Sequence, residues 1–318
     1  MSRVNDRNRR AAFHRGEMVE VRSAGEILAT LDAGGKLDGM PFMPEMARYC
    51  GRRFRVLRNP KTTCMEGVDL RRLEDTVFLE GLRCDGADHD GCQRGCRIFW
   101  KTAWLKAASG ACGESIPAPS SPRAHFEQLP VIRNDRYYCQ STELAGATSA
   151  LPRWDPVYRL RELFGDATLA EALGRIGWTV RTRLRGLLGR HPRGHEVRTP
   201  SQPLNLAPGE WVEIKSREEI EATLNAEAKN RGLGFDPEML EYCGQRYRVG
   251  APVEKIISEQ TGEMVPLRNT VILDGVTCQG HCWRNCPRNN YLFWREIWLK
   301  RVATETPSPQ ACCPATRC

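Results

Sequence analysis

The feature that most constrains this chain is that it repeats itself. Gly16 to Val56 aligns without a gap onto Gly209 to Val249 at a constant offset of 193, and 23 of the 41 paired residues are identical. The run Pro44-Glu45-Met46…Tyr49-Cys50-Gly51 returns as Pro237-Glu238-Met239…Tyr242-Cys243-Gly244. After a loop of variable length the match resumes at Leu73…Thr76-Val77…Leu79 against Leu267…Thr270-Val271…Leu273. Internal similarity of this kind predicts two homologous domains, 13–109 and 206–302. A linker containing a basic amphipathic helix, 110–205, separates them, and a Pro/Thr/Ser-rich tail read as disordered, 303–318, follows. A chain of 318 residues can give each domain its own core.

Each repeat reads as mainly β with one helix, an α+β class. Glu17-Met-Val-Glu-Val-Arg22 and Glu210-Trp-Val-Glu-Ile-Lys215 alternate polar with apolar residues, the period of a half-buried strand. Ser23 and Ser216 stand as N-caps with Glu26 and Glu219 three residues on, so a capping box opens a helix expected to run through Leu31 and Leu224. Arg53–Val56, Thr76–Leu79 and Thr270–Leu273 read as further short strands. Phe99-Trp100…Trp104-Leu105 and Phe293-Trp294…Trp298-Leu299 have helical spacing that could equally end in a strand, and their simplest role is core packing. Short strands in this arrangement suggest a small β-barrel-like domain. The opening Gly16-Glu-Met-Val-Glu-Val21 resembles that of KOW-like modules, which implies an SH3-like barrel and no particular function.

The repeat also sorts the 14 cysteines. Cys50 recurs as Cys243, Cys84 as Cys278, Cys92 as Cys282 and Cys96 as Cys286. Cys64 has no counterpart, and Cys112, Cys139, Cys312, Cys313 and Cys318 lie outside the repeats. Loop lengths around the thiols differ between copies while thiols and aromatics stay, which points to one spatial task. The expected metal ligands are therefore Cys50, Cys84, Cys92 and Cys96 in one site and Cys243, Cys278, Cys282 and Cys286 in the other. Four thiolates around one ion or cluster would stabilise a small domain beyond what its core supplies.

Two identities compete for the bound group. Structural zinc favours Cys-x2-Cys pairs, whereas the gaps here are seven and three or three and three residues. Three close cysteines plus a remote one is a distribution also used for [4Fe-4S] clusters, although the spacing is not that of ferredoxins. Flanking Trp and Phe would keep water away, so iron–sulfur is preferred over zinc. Disulfides are the competing structural explanation, disfavoured in a reducing compartment. His89 and His281 fall at non-equivalent places and are not expected as obligatory ligands. Glu45, Arg53, Arg55, Glu238, Arg246 and Arg248 recur and either surround the site or pair on the surface, the latter being the simpler reading.

No apolar run approaches the about 18 residues of a membrane span, and the polar, basic amino terminus lacks a signal's apolar middle. The expectation is a cytoplasmic protein. Leu169, Leu173, Ile176, Val180, Leu184 and Leu187 form a stripe at helix period, expected to pack on the repeats beneath a solvated arginine face. The net charge of +8 permits a nucleic-acid partner without requiring one. Phosphate-binding glycine loops, Gly-x-Ser-x-Gly and His-Glu-x-x-His are absent. Three functions fit: a protein with two iron–sulfur centres acting in electron transfer or a redox biosynthetic step with a redox or protein partner; a zinc-stabilised tandem module gripping nucleic acid or protein; and a metalloenzyme with an open metal position in one repeat.

Overall fold

The computed structural model describes residues 13–65, 68–108, 122–151, eight helical positions between 170 and 184, 191–280 and 287–302. The tail 303–318, and with it the expectation of disorder there, lies outside the described residues. The architecture is mostly β with few and short helices, as the alternating patterns predict. Contacts divide the chain into two compact units. The first holds Met1–His191, Val253–Arg268 and Val276–Leu292; the second holds Pro192–Pro252, Asn269–Gly275 and Phe293–Cys318.

The first unit is built on a five-stranded antiparallel sheet of β1 (Met18–Val21), β2 (Arg53–Arg58), β3 (Thr76–Leu79), β4 (Trp100–Lys101) and β5 (Leu105–Ala107), in the order β4-β3-β2-β1-β5. Val19 and Val21 point into the core and are fully buried, while Glu20 faces the other side opposite Arg53 and Lys106. Glu20 pairs with both, at 3.3 and 3.0 Å. Those cross-strand pairs set register but contribute only about 0.2–1 kcal/mol each.

The Ser23–Glu26 capping box forms, with Glu26 N donating to Ser23 Oγ at 3.4 Å and Ser23 N to Glu26 Oε2 at 3.0 Å. The helix it opens, α1 (Ala24–Leu28), stops short of Leu31. Thr30 explains the early end. Its hydroxyl donates to Ile27 O at 2.7 Å and accepts from Trp104 Nε1 at 3.0 Å, tying the chain to the core instead of continuing the helical ladder.

The Phe-Trp…Trp-Leu segment is not a helix. It is β4, a single 3-10 turn (Thr102–Trp104) and β5, with Trp100 and Trp104 fully buried. The turn thus carries the chain from one edge of the sheet to the other. Among the described residues no ladder joins β4 to β5, so the sheet does not close into a barrel. Phe42 packs edge-on to Trp104 at 5.3 Å, and Phe126 of the 3-10 turn Pro122–Phe126 stacks on Phe42 at 4.7 Å. Leu144 and Tyr138 are buried as well, so the apolar run after residue 137 docks on this core. Four further hairpins are described in the unit: Lys36–Leu37 with Met40–Pro41, Thr62–Met65 with Val68–Arg72 (joined at its edge by Ser149–Ala150), Ile132–Arg133 with Arg136–Tyr137, and Lys255–Ile257 with Met264–Pro266.

The amphipathic stripe does not behave as expected. Leu173, Ile176, Val180 and Leu184 are helical yet exposed, and none belongs to the buried cluster of the unit. Leu169 and Leu187 lie outside the described residues.

The second unit carries the sheet β6 (Trp211–Ile214), β7 (Arg246–Pro252), β8 (Thr270–Leu273), β9 (Trp294–Arg295) and β10 (Leu299–Arg301) in the order β9-β8-β7-β6-β10. Met18 faces Arg55 in the first sheet and Trp211 faces Arg248 in the second, with a register shift after Val56 and after Val249. The capped helix α2 (Arg217–Glu221) again ends early, before Leu224. Thr223 Oγ1 donates to Ile220 O at 2.8 Å and accepts from Trp298 Nε1 at 3.0 Å. No helix among the described residues is long and apolar enough to cross a membrane.

Candidate metal centre

The loop between β3 and β4 positions three thiols. Its base is closed by a bridge between Arg83 and Arg97 and by Cys84 N donating to Cys96 O at 2.8 Å. Within it, His89 N and Gly91 N both donate to Gly86 O, and Cys92 N to His89 O. Gly86 has φ +69°, and a Cβ there would stand 2.2 Å from Cys92 O, so only glycine permits this turn. Cys84, Cys92 and Cys96 are thereby turned toward one partly open cavity of about 30 Å³.

The fourth thiol lining that cavity is Cys139, which sequence reasoning set aside; Cys50 is not among the lining residues. Cys139 is delivered by the docked segment after β5. Its N–H donates to Thr142 Oγ1 at 3.0 Å, and the next residue, Gln140, exchanges two hydrogen bonds of 2.8 Å with the backbone of Phe99. Cys50 instead ends the 3-10 turn Pro44–Tyr49, donates its N–H to Ala47 O and packs in the core at 4% exposure. The signal for Cys139 was its apolar setting, Tyr137-Tyr-Cys-Gln-Ser, which marks a docked segment rather than a linker.

The surroundings of the thiols are specific. Cys84 Sγ donates to Glu45 Oε1 at 3.2 Å, and Cys96 Sγ lies 3.3 Å from Ser141 Oγ. Ile257 N donates to Cys92 Sγ at 3.3 Å, while Gln93 Oε1 accepts from Glu254 N and Lys255 N, so the thiol loop is pinned to the 255–266 hairpin. Glu45 is 3% exposed and His89 Nδ1 sits 3.2 Å from its Oε1, with His89 Nε2 3.2 Å from Tyr138 O. Glu45 thus belongs to the site. Arg53 and Arg55 do not: they pair with Glu20 and Glu80 on the sheet surface.

Burial governs the protonation of these thiols. It pushes Cys139 up to about 12 and Cys50 up to about 11, and it raises Cys84 and Cys92, Cys84 further because of the Glu45 charge. Burial would also raise Glu45, but contact with His89 outweighs it and holds the carboxyl below its ordinary range; His89 is raised in return. Both shifts favour the charged forms of the pair.

Cationic groups ring the opposite side. Arg288 is 2% exposed, forms a bidentate pair with Glu259, donates to Ser141 Oγ at 3.1 Å and to Cys64 O at 3.2 Å. Arg94 reaches Glu259 at 3.7 Å and Ile257 O at 3.0 Å. Arg97 also lines the cavity; burial and the neighbouring Arg83 charge lower it to about 10, and its Nε is buried with no hydrogen-bond partner among the described residues.

Of the second set, Cys282, Cys286 and His281 lie outside the described residues. Cys243 belongs to the second unit and, like Cys50, ends a 3-10 turn (Pro237–Tyr242); burial raises its thiol to about 11. Cys278 belongs to the first unit, where its Sγ accepts from Gly280 N at 3.3 Å and its N–H donates to Asn290 O at 2.7 Å. Arg83 NH1 donates to Gly95 O and NH2 to Asn289 O, and Asn289 Nδ2 donates to Cys278 O, linking the two thiol loops through one arginine.

The donor set is chemically that of a soft metal. Among the described residues no three His, Cys, Asp or Glu side chains are gathered at metal-ligand distance. Burial favours the protonated form of Cys84, Cys92 and Cys139, and ligation requires their deprotonation. No protein-family model, curated protein or solved structure matches the chain.

Proposed function

We propose that this is a cysteine-ligated metal protein with one centre held by Cys84, Cys92, Cys96 and Cys139, and that the group bound is a [4Fe-4S] cluster serving electron transfer or a redox biosynthetic step. One observation carries the reading. Four thiols line a single cavity beside a buried Arg97 nitrogen that has no hydrogen-bond partner among the described residues, so an anionic thiolate centre would supply one. When bound, a cluster supplies one-electron chemistry at a potential set by burial and by hydrogen bonds to sulfur. The residues on hand do the rest. Ile257 N–H and Ser141 Oγ sit at hydrogen-bond distance from cysteine sulfurs, Arg97 offsets thiolate charge, and Phe99 and the buried indole of Trp100 exclude water from the loop base.

The second centre of the proposal is carried over from the repeat with Cys278, Cys282 and Cys286, the counterparts of Cys84, Cys92 and Cys96; Cys243, like Cys50, is left out of it. Each repeat is read as an SH3-like module; the five-strand order with a 3-10 turn between the last two strands supports that reading. A cytoplasmic location accompanies it, since such centres need reduced thiols.

A second reading, the zinc-stabilised binding module, is favoured by the small volume of the cavity, about 30 Å³, which suits one ion better than a cubane. Trp211 is 40% exposed with the Arg248 guanidinium 5.2 Å from its ring, a pair of the type that stacks nucleic-acid bases. Iron, sulfide and zinc content of anaerobically purified full-length protein separates the two readings. Iron with equimolar sulfide supports the first, and zinc without sulfide sinks it.

A further inference from the structure

We propose that the basic amphipathic helix of the first unit is a membrane-surface anchor that lies on anionic phospholipid. Leu173, Ile176, Val180 and Leu184 fall at helical spacing and are 59, 40, 52 and 55% exposed. Four apolar side chains along one helix face, left in water, form a stripe that a soluble surface does not retain without a partner. The sequence around it specifies the chemistry of that partner. Arg175, Arg181, Arg183, Arg185, Arg190 and Arg193 fall in this stretch, and no Asp or Glu occurs from 172 to 195.

An apolar stripe beside arginines matches a surface with hydrocarbon beneath and negative charge above it, which is the headgroup layer of an anionic bilayer. An arginine side chain can rest its stem on apolar surface while its guanidinium group reaches phosphate, and Arg181, the arginine described on the helix, is exposed. A nucleic-acid backbone would match the charge alone and leave the leucines wet, so lipid is the better complement. Gly174 and Gly177 weaken the helix on its own, and burial of its face at an interface is what would supply the missing order. No helix among the described residues has the length and hydropathy to span a bilayer; the proposed anchor lies on the surface.

The test uses the full chain and co-sedimentation with vesicles of phosphatidylcholine alone or of equal parts phosphatidylcholine and phosphatidylglycerol. The wild type is expected to sediment with the anionic vesicles and to remain in solution with the neutral ones. Val180→Asp with Leu184→Asp should weaken the anionic binding at least about tenfold, with the circular-dichroism spectrum and metal content unchanged. Arg181→Glu with Arg183→Glu, which leaves the stripe intact, should weaken it comparably and abolish its salt dependence. Absence of binding to anionic vesicles, equal binding to neutral ones, or binding to duplex nucleic acid with none to vesicles would each overturn the proposal.

Discussion

Cys139 and Cys50 show what a single residue's place in the fold decides. Cys50 and Cys243 hold the same place in both repeats, the end of a 3-10 turn before a glycine with positive φ (Gly51 +74°, Gly244 +76°); Cys50 is buried and Cys243 half-buried. Recurrence between repeats selects for folding as well as for binding, and here the two were indistinguishable in sequence. Cys139 has no counterpart, so only its docking on the core reveals it. Cys139→Ser is expected to remove most of the metal from the first centre, whereas Cys50→Ser should retain it and cost about 1–3 kcal/mol for a buried hydroxyl; metal analysis and denaturant unfolding of the two variants distinguish the roles. At Gly86 a side chain meets the Cys92 carbonyl in a left-handed conformation. Gly86→Ala should destabilise the loop by at least about 1 kcal/mol, read from thermal unfolding, and loosen metal binding with it.

Among the elements, the strands were legible and the helix ends were not. Period-2 alternation located β1 and β6 because one face of each is fully buried. The helices end early because Thr30 and Thr223 accept an indole N–H from tryptophans far along the chain, a long-range partner that no local pattern displays. Thr30→Val and Thr223→Val each leave a buried indole nitrogen unpaired. Each should cost about 1–3 kcal/mol in urea unfolding. The capping boxes also set the acid limb of stability. Hydrogen bonds from Ser23 hold the Glu26 carboxyl at about 2, against an ordinary 4.5. A depressed carboxylate contributes fully above its unfolded value and loses that contribution as pH falls from about 4.5 toward about 2. Because the Glu26 side chain is 44% exposed, solvent screens the effect to below about 1 kcal/mol. Glu26→Gln should flatten stability between those pH values by lowering the neutral-pH end by less than about 1 kcal/mol, with the acid end unchanged.

On the scale of the whole molecule, similarity predicts two repeats but says nothing of which loops pack together. The first unit takes in the hairpin 255–266 and Cys278, so the loop of Cys84, Cys92 and Cys96 and the described part of the second thiol loop lie in one compact body. The buried Arg288–Glu259 pair fastens this arrangement, with Arg288 also reaching Ser141 and the Cys64 carbonyl. A buried pair opened from one side leaves a bare charge. Arg288→Met alone should destabilise by about 3–5 kcal/mol, and Arg288→Met with Glu259→Met by clearly less than the sum of the two single changes, as a double-mutant cycle in denaturant would show. The central claim is that Cys84, Cys92, Cys96 and Cys139 hold an iron–sulfur centre. Its most direct test is the visible spectrum, with iron and sulfide content, of the anaerobically purified full chain and its Cys139→Ser variant. The account predicts a brown protein absorbing near about 400 nm, with about four iron and four sulfide fewer in the variant; a colourless protein carrying zinc, or a spectrum that Cys139→Ser leaves intact, contradicts it.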